Sequence, residues 1–220
     1  MPVSLCIFDL DGVIVDTAKF HYIAWKRLAA GFGYELTEEQ NENLKGVSRV
    51  QSLELILKWA GVSKTPEEQL ELATLKNEWY VDLVKGLTIA DALPGVVDFI
   101  HELKAAGVRI ALGSASKNAR LILDSFEITD LFEAIVDGTM TKKGKPDPEV
   151  FLLGAELTGV APEASVVFED AAKGIDAARA GNMYSVGVGS EDQLGHAHFV
   201  IPGFEDFSYA DFIKQMSVVE

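Results

Sequence analysis

The 220-residue sequence predicts an α/β protein: a doubly wound parallel-sheet (Rossmann-like) core with a helical cap domain inserted after the first strand. Three observations carry that expectation. Short apolar runs rich in β-branched residues alternate with amphipathic stretches, the pattern of strands buried on both faces and joined by helices. Acids or hydroxyls stand just past several of these runs, at the strand ends where open α/β sheets place their ligands. Between about 17 and 86 the chain shows helix start signals and no convincing strand. The core is therefore expected over 1–16 and 88–220, with the cap over 17–87.

In chain order, the first strand is expected at 5–8, immediately before an Asp-Leu-Asp-Gly turn. The insert follows. Thr37-Glu-Glu-Gln40 and Ser48-Arg-Val-Gln51 both fit a capping box, in which hydroxyl and amide satisfy orphan backbone donors reciprocally. Thr65-Pro66-Glu67-Glu68 offers an N-cap, a proline at the first helical position and acids in the first turn. The chain returns to the core near Leu93-Pro94-Gly95. Strands are then expected at 108–112, 134–136, 165–168 and 184–188, with a weaker one at 199–201. Helical periodicity separates them at 96–106, 118–126, 149–158 and 173–180, and a short helix closes the chain within 204–220. Asp147 and Pro148 read as N-cap and first residue of the third of these helices.

Composition narrows the function classes. With 48% hydrophobic and 24% charged residues, the chain is ordinary for a globular protein. No apolar stretch approaches the roughly 20 residues that span a bilayer. The first residues lack the basic, then apolar, pattern of a secretory signal. The single cysteine, Cys6, lies in an apolar strand and reads as a core residue compatible with a reducing, cytoplasmic location. A net charge of −15 argues against nucleic-acid or anionic-membrane partners and is compatible with a monomer. An enzyme of anionic substrates must then gather positive charge locally, or borrow it from a metal.

The strand ends supply the chemistry. The first ends in Phe8-Asp9-Leu10-Asp11-Gly12 and the fourth in Phe168-Glu169-Asp170. Alone, an Asp-x-Asp pair is as readily a helix cap or a solvated turn. Acids delivered by two strands to one sheet edge would repel one another unless a cation sat among them. Hard oxygen donors without neighbouring histidine or cysteine favour Mg²⁺. Gly12 lets the chain turn after Asp11, so one carboxylate can attack phosphorus while the other faces the leaving oxygen. Asp9 is read as the nucleophile and Asp11 as its acid/base partner. Ser114-Ala115-Ser116-Lys117-Asn118 runs from a strand into a helix and presents amides to an anion, with Lys145 as a further cation. In the insert, Gly46 permits close backbone approach, Ser48 starts a helix, and Lys45 and Arg49 flank that helix end: a second phosphate receptor.

This ordered set resembles the haloacid dehalogenase superfamily, and the insert resembles the sugar phosphomutases within it. The supporting residues are Asp9, Asp11, Ser114, Lys145 and the Glu169–Asp170 pair, with Asp16-Thr17-Ala18, His21, Ala24, Trp25 and the segment 45–49 in the insert. The resemblance implies Mg²⁺ held by Asp9, the backbone carbonyl of Asp11, Glu169 and Asp170, and a phosphoryl group held by Ser114 and Lys145. It implies substrate contacts from Thr17, His21, Trp25, Lys45, Gly46, Val47, Ser48, Arg49, Ser52, Lys76, Ala115, Ser116, Lys117 and Asn118. His21 and Lys76 would help place Asp11. The implied partner is a small sugar phosphate. The implied reaction interconverts β-glucose 1-phosphate and glucose 6-phosphate, with β-glucose 1,6-bisphosphate as phosphoryl donor. One departure is Ala171, where a serine is common.

Plainer readings stand beside these. Trp25 can be core between helices and His21 an ordinary helix-surface histidine. Trp59 and Trp79 read as core, and the acids at 38–39, 67–68 and 71 as solvated faces. His196 and His198 read as a solvated loop rather than a metal pair. Besides a mutase, a phosphatase of small phosphoesters and a non-catalytic sugar-phosphate sensor are compatible with the sequence.

Overall fold

A computed structural model of the chain describes residues 3–44 and 47–219. Six strands form one parallel sheet: β1 (Leu5–Phe8), β2 (Arg109–Gly113), β3 (Ala134–Val136), β4 (Ser165–Glu169), β5 (Tyr184–Val188) and β6 (Phe199–Ile201). Their spatial order, β3-β2-β1-β4-β5-β6, puts β1 and β4 side by side at the centre, with Phe8 in register with Phe168. That single pairing brings the two acidic strand ends together.

Alternation along β1 builds both faces of the core. Cys6 and Phe8 point to one side, where Phe8 stacks on Phe168 at 4.8 Å and Phe99, Phe204 and Phe212 complete an aromatic cluster. Leu5 and Ile7 point to the other, against Phe151, Ala155, Ala177 and Met183.

The helices between β1 and β2 are α1 (Ala18–Ala30), α2 (Glu38–Glu42), α3 (Arg49–Ala60), α4 (Pro66–Val84) and α5 (Val96–Ala105). The first four enclose their own apolar cluster of Trp25, Leu28, Leu36, Leu53, Ile56 and Leu57. Capping boxes start α2 and α3 at Thr37 and Ser48, as the local sequence predicts, and the N-cap expected at Thr65 proves to be a full capping box with Glu68 at the start of α4. Gly61, at φ 66°, ends α3 in the left-handed conformation. Ala24, Tyr80 and Val84 reach from this layer into the sheet's core, so the layer is anchored as well as tethered. Its two connections meet where Val15 pairs with Ala92 and the Leu93 N–H donates to Ile14 O at 2.8 Å.

Beyond β2 lie α6 (Ala119–Ser125), α7 (Glu149–Thr158), α8 (Ala172–Ala180), α9 (Glu191–Leu194) and α10 (Tyr209–Val219). Several expected boundaries move by a residue, two of them for a clear local reason. Val108 belongs to the turn ending α5, its N–H donating to Leu103 O, so β2 begins at Arg109 and extends to Gly113 opposite Val136. Helix α7 begins at Glu149 with Pro148 in the capping position. Asp147 still serves it, because Asp147 Oδ1 accepts from the Glu149 N–H at 3.1 Å. No helix among the described residues is long and apolar enough to cross a membrane.

Candidate active site

The carboxyl ends of β1 and β4 bring Asp9, Glu169 and Asp170 together, with one potential ligand oxygen from each within 4.8 Å of the others. Lys145, arriving from the loop before α7, lies behind them. Its Nζ donates to Asp9 Oδ1 and to Glu169 Oε2, both at 2.7 Å and both out of solvent. Burial works against the Lys145 ammonium, but the charges and hydrogen bonds of Asp9 and Glu169 outweigh it and hold its pKa above the ordinary lysine value. Burial and crowding by Asp9 and Asp170 push Glu169 up despite Lys145. Three carboxylates converge here and repel one another, as the raised Glu169 shows. A hard divalent cation fits that donor set.

Two glycines shape this nest. Gly12 has φ 78°, and a Cβ there would stand 2.1 Å from Asp170 Oδ2. On α8, a Cβ at Gly174 would stand 2.0 Å from the Glu169 carboxyl carbon. Glu169 Oε1 also accepts from the Ala171 N–H at 3.2 Å, so an alanine suffices at that position for this backbone contact.

Asp11 follows Asp9 on the same turn. Burial first, then the charges of Asp9 and Asp170, raise its carboxyl well above the usual range, and its Oδ1 is buried without a hydrogen-bond partner. A neutral carboxylic acid beside an ionisable aspartate is the pairing that acid/base chemistry needs.

The segment after β2 folds into successive serine turns. Ser114 Oγ accepts from the Ser116 N–H at 3.1 Å and Ser116 Oγ from the Asn118 N–H at 3.2 Å. Ser114 itself is buried against the sheet, its N–H bonded to Val136 O. Asn118 Nδ2 donates to Asn77 Oδ1 of α4 at 2.8 Å, which ties this loop to the helical layer.

Above these groups opens a cleft shared by sheet and helical layer. The core contributes Asp9, Asp11, Asp170, Ala115, Ser116 and Lys117, and the layer His21, Trp25, Val47, Arg49, Ser52 and Lys76. Lys76 is buried, its Nζ 2.7 Å from His21 Nδ1 and 4.5 Å above the Trp25 ring. Burial, reinforced by the Arg49 charge and opposed by Asp11, lowers Lys76 to about 7. Burial, then the charges of Lys76 and Arg49, hold His21 well below its ordinary value. A neutral imidazole stacked on Tyr80 can therefore accept at Nδ1 from the Lys76 ammonium. Trp25 is both cleft wall and core, so its two readings are not exclusive.

Other expected residues fall elsewhere. Ser48 lines a smaller adjoining pocket with Lys145, and its hydroxyl is occupied with Gln51 in the capping box of α3. Thr17 is wholly buried ahead of α1 and does not line the cleft. Lys45 and Gly46 lie outside the described residues. His196 and His198 belong to neither the carboxylate cluster nor the cleft: His196 Nε2 lies 3.5 Å from Asp176 Oδ1 and 3.3 Å from Ala172 O, and His198 Nδ1 accepts from the Ser185 N–H. Sequence reasoning missed Asn41 and Leu44, which the short helix α2 turns toward the cleft. It also missed Asn77 and Gly174. None of these carries a motif, since packing alone decides where each faces.

The chain belongs to the haloacid dehalogenase-like hydrolase family, whose profile matches residues 6–188. Within that family it is 42% identical over 204 residues to the β-phosphoglucomutase of Bacillus subtilis, covering 92% of this chain and 90% of that protein. The crystal structure of a Clostridium difficile β-phosphoglucomutase superposes with a TM-score of 0.95 at 39% identity over the full length of both chains. A phosphorylated carbohydrates phosphatase of Thermotoga maritima is 29% identical over 180 residues, 80% of this chain and 81% of the relative.

Proposed function

We propose that this enzyme is a magnesium-dependent phosphomutase interconverting β-glucose 1-phosphate and glucose 6-phosphate, with 17–87 acting as a cap over a core of 1–16 and 88–220. The supporting observation is the shared cleft, lined both by the reactive acids Asp9, Asp11 and Asp170 and by cations, Arg49 and Lys76 of the cap with Lys117 of the core. Cations beyond Lys145 give such a cleft the charge to hold a second phosphate, as an intermediate with two requires.

Asp9, Glu169, Asp170 and the Asp11 carbonyl would hold Mg²⁺. When bound, the ion supplies positive charge that lets an anionic phosphoryl group approach the Asp9 carboxylate. Asp9 attacks phosphorus to form an aspartyl-phosphate, and Asp11 protonates the departing oxygen. In the reverse step Asp11 accepts the proton of the sugar hydroxyl as that oxygen takes the phosphoryl group from Asp9. Lys145 keeps Asp9 oriented, while the Ser114 hydroxyl and the backbone amides of Ala115 and Lys117 hold phosphoryl oxygens. β-Glucose 1,6-bisphosphate forms, reorients and returns its other phosphate to Asp9.

A phosphorus NMR time course tests this. Protein, Mg²⁺ and β-glucose 1-phosphate are mixed with a trace of the bisphosphate. Glucose 6-phosphate should accumulate with little inorganic phosphate. Inorganic phosphate as the main product would replace the mutase with a sugar-phosphate phosphatase, the activity named for the Thermotoga relative.

A further inference from the structure

We infer that two contacts between core and helical layer, Lys173 with Asn43 and Gly144 with the first turn of α3, determine whether a sugar hydroxyl or water reaches phosphorylated Asp9. The inference rests on the phosphomutase reading. Both transfers break the same Asp9 oxygen–phosphorus bond. The sugar oxygen forms a phosphoester and gives its proton to Asp11. Water gives its proton to the same acid and releases inorganic phosphate. The nucleophiles differ in size and supply, so selection depends on whether the cleft stays shut.

Lys173 lies in the first turn of α8, just past Asp170. Its Nζ donates to the backbone carbonyl of Asn43 at 3.2 Å, joining segments 130 residues apart. Asn43 sits between two residues that line the cleft, Asn41 and Leu44. The hydrogen bond therefore fixes one lip of the cleft directly to the cation-site helix.

The second contact is at Gly144, immediately before Lys145, which lines the smaller pocket adjoining the cleft. Its φ lies outside the left-handed range, so its backbone does not require glycine. A Cβ there would instead stand 2.9 Å from Gln51 Oε1 and 3.5 Å from the Ser48 nitrogen. Gln51 cannot yield freely, because Oε1 accepts from the Ser48 N–H at 3.3 Å and from Ser48 Oγ at 3.1 Å in the capping box. Space at Gly144 thus admits the start of α3, and with it Arg49, over the core. Both contacts connect elements bearing reactive groups to elements bearing cleft walls. Any outward movement of the layer breaks both and exposes Asp9 to solvent.

The test compares inorganic phosphate with glucose 6-phosphate in the NMR time course for wild type, Lys173→Met, Lys173→Arg and Gly144→Ala. Losing one solvent-facing hydrogen bond should raise the phosphate fraction about three- to tenfold in Lys173→Met. Lys173→Arg keeps a donor and should stay near wild type. Gly144→Ala should raise the fraction through the second contact. Melting temperature should fall by no more than a few degrees in Lys173→Met, since one hydrogen bond of a half-buried side chain is lost. An unchanged product ratio in Lys173→Met overturns the inference. If wild type itself yields only inorganic phosphate, the mutase reading falls separately. The lifetime of the phospho-enzyme then decides: shortened in Lys173→Met upholds the latch, and unchanged removes it.

Discussion

At the scale of single residues the site trades stability for chemistry. Burial and two neighbouring carboxylates raise Asp11 well above the ordinary aspartate value. A raised carboxyl costs stability once pH exceeds its unfolded value, because the unfolded chain ionises while the folded one resists. Asp11→Asn mimics the neutral acid and removes that cost. It should melt higher than wild type at pH 7 while kcat falls by about 10²- to 10⁴-fold, and a lower melting point would refute the assignment. Lys76 has the opposite sign. Its folded pKa of about 7 lies below the ordinary value of 10.5, so the unfolded chain binds the extra proton between those limits. Stability should therefore rise with pH through that window, by a few kcal/mol at most. Urea unfolding across pH 6.5 to 10 reads this as a gain in wild type that is missing in Lys76→Met, and parallel curves would argue that Lys76 is not perturbed. Asp11 was legible as an acid/base candidate only once the second acidic strand end, Glu169–Asp170, stood beside its Asp-x-Asp pair. The state of Lys76 was not, because it depends on Trp25, His21 and Tyr80, which only the folded chain brings around it.

At the scale of elements, legibility followed the range of the interactions. The capping boxes of α2 and α3 and the N-cap of α4 are closed within four residues and stood in the sequence as they stand in the structure. The start of β2 moved because Val108 is claimed by the C-terminal turn of α5, a competition that apolar patterning does not register. Short α9, four residues long, had no periodicity to detect. Gly174 is the sharpest case of a long-range demand hidden in a local pattern. By helix propensity alone, Gly174→Ala should stabilise α8 by about 1 kcal/mol. Its new methyl would instead overlap the Glu169 carboxyl, at 2.0 Å from Cδ. The variant should lower both the melting temperature and the Mg²⁺ affinity inferred from activity titrations. A stabilised, fully active Gly174→Ala would mean that Glu169 has room to move.

At the scale of the molecule, a net charge of −15 is reconciled with an anionic substrate by segregation: Arg49, Lys76 and Lys117 converge on one cleft. The acidic strand ends were readable because parallel sheets place ligands at the carboxyl edge. Their adjacency required the β1–β4 pairing, a topological fact no local window contains. The same adjacency yields a prediction. Asp9, Glu169 and Asp170 bring mutually repelling oxygen donors together, so a divalent cation bound there must stabilise the fold. Binding to the native state alone adds roughly 2.7 kcal/mol at a hundredfold excess over Kd. Thermal melts should rise with added Mg²⁺ and fall on chelation. A surface this acidic also gathers cations diffusely, so the rise in wild type is not sufficient. Asp170→Asn separates the two sources by removing one carboxylate from the cluster while leaving the rest of the surface charge intact. Without metal it should melt at or above wild type, because repulsion within the cluster is reduced. With Mg²⁺ its melting point should climb much less. Equal Mg²⁺-dependent shifts in both proteins would assign the stabilisation to the outer surface and leave the carboxylate cluster without its cation.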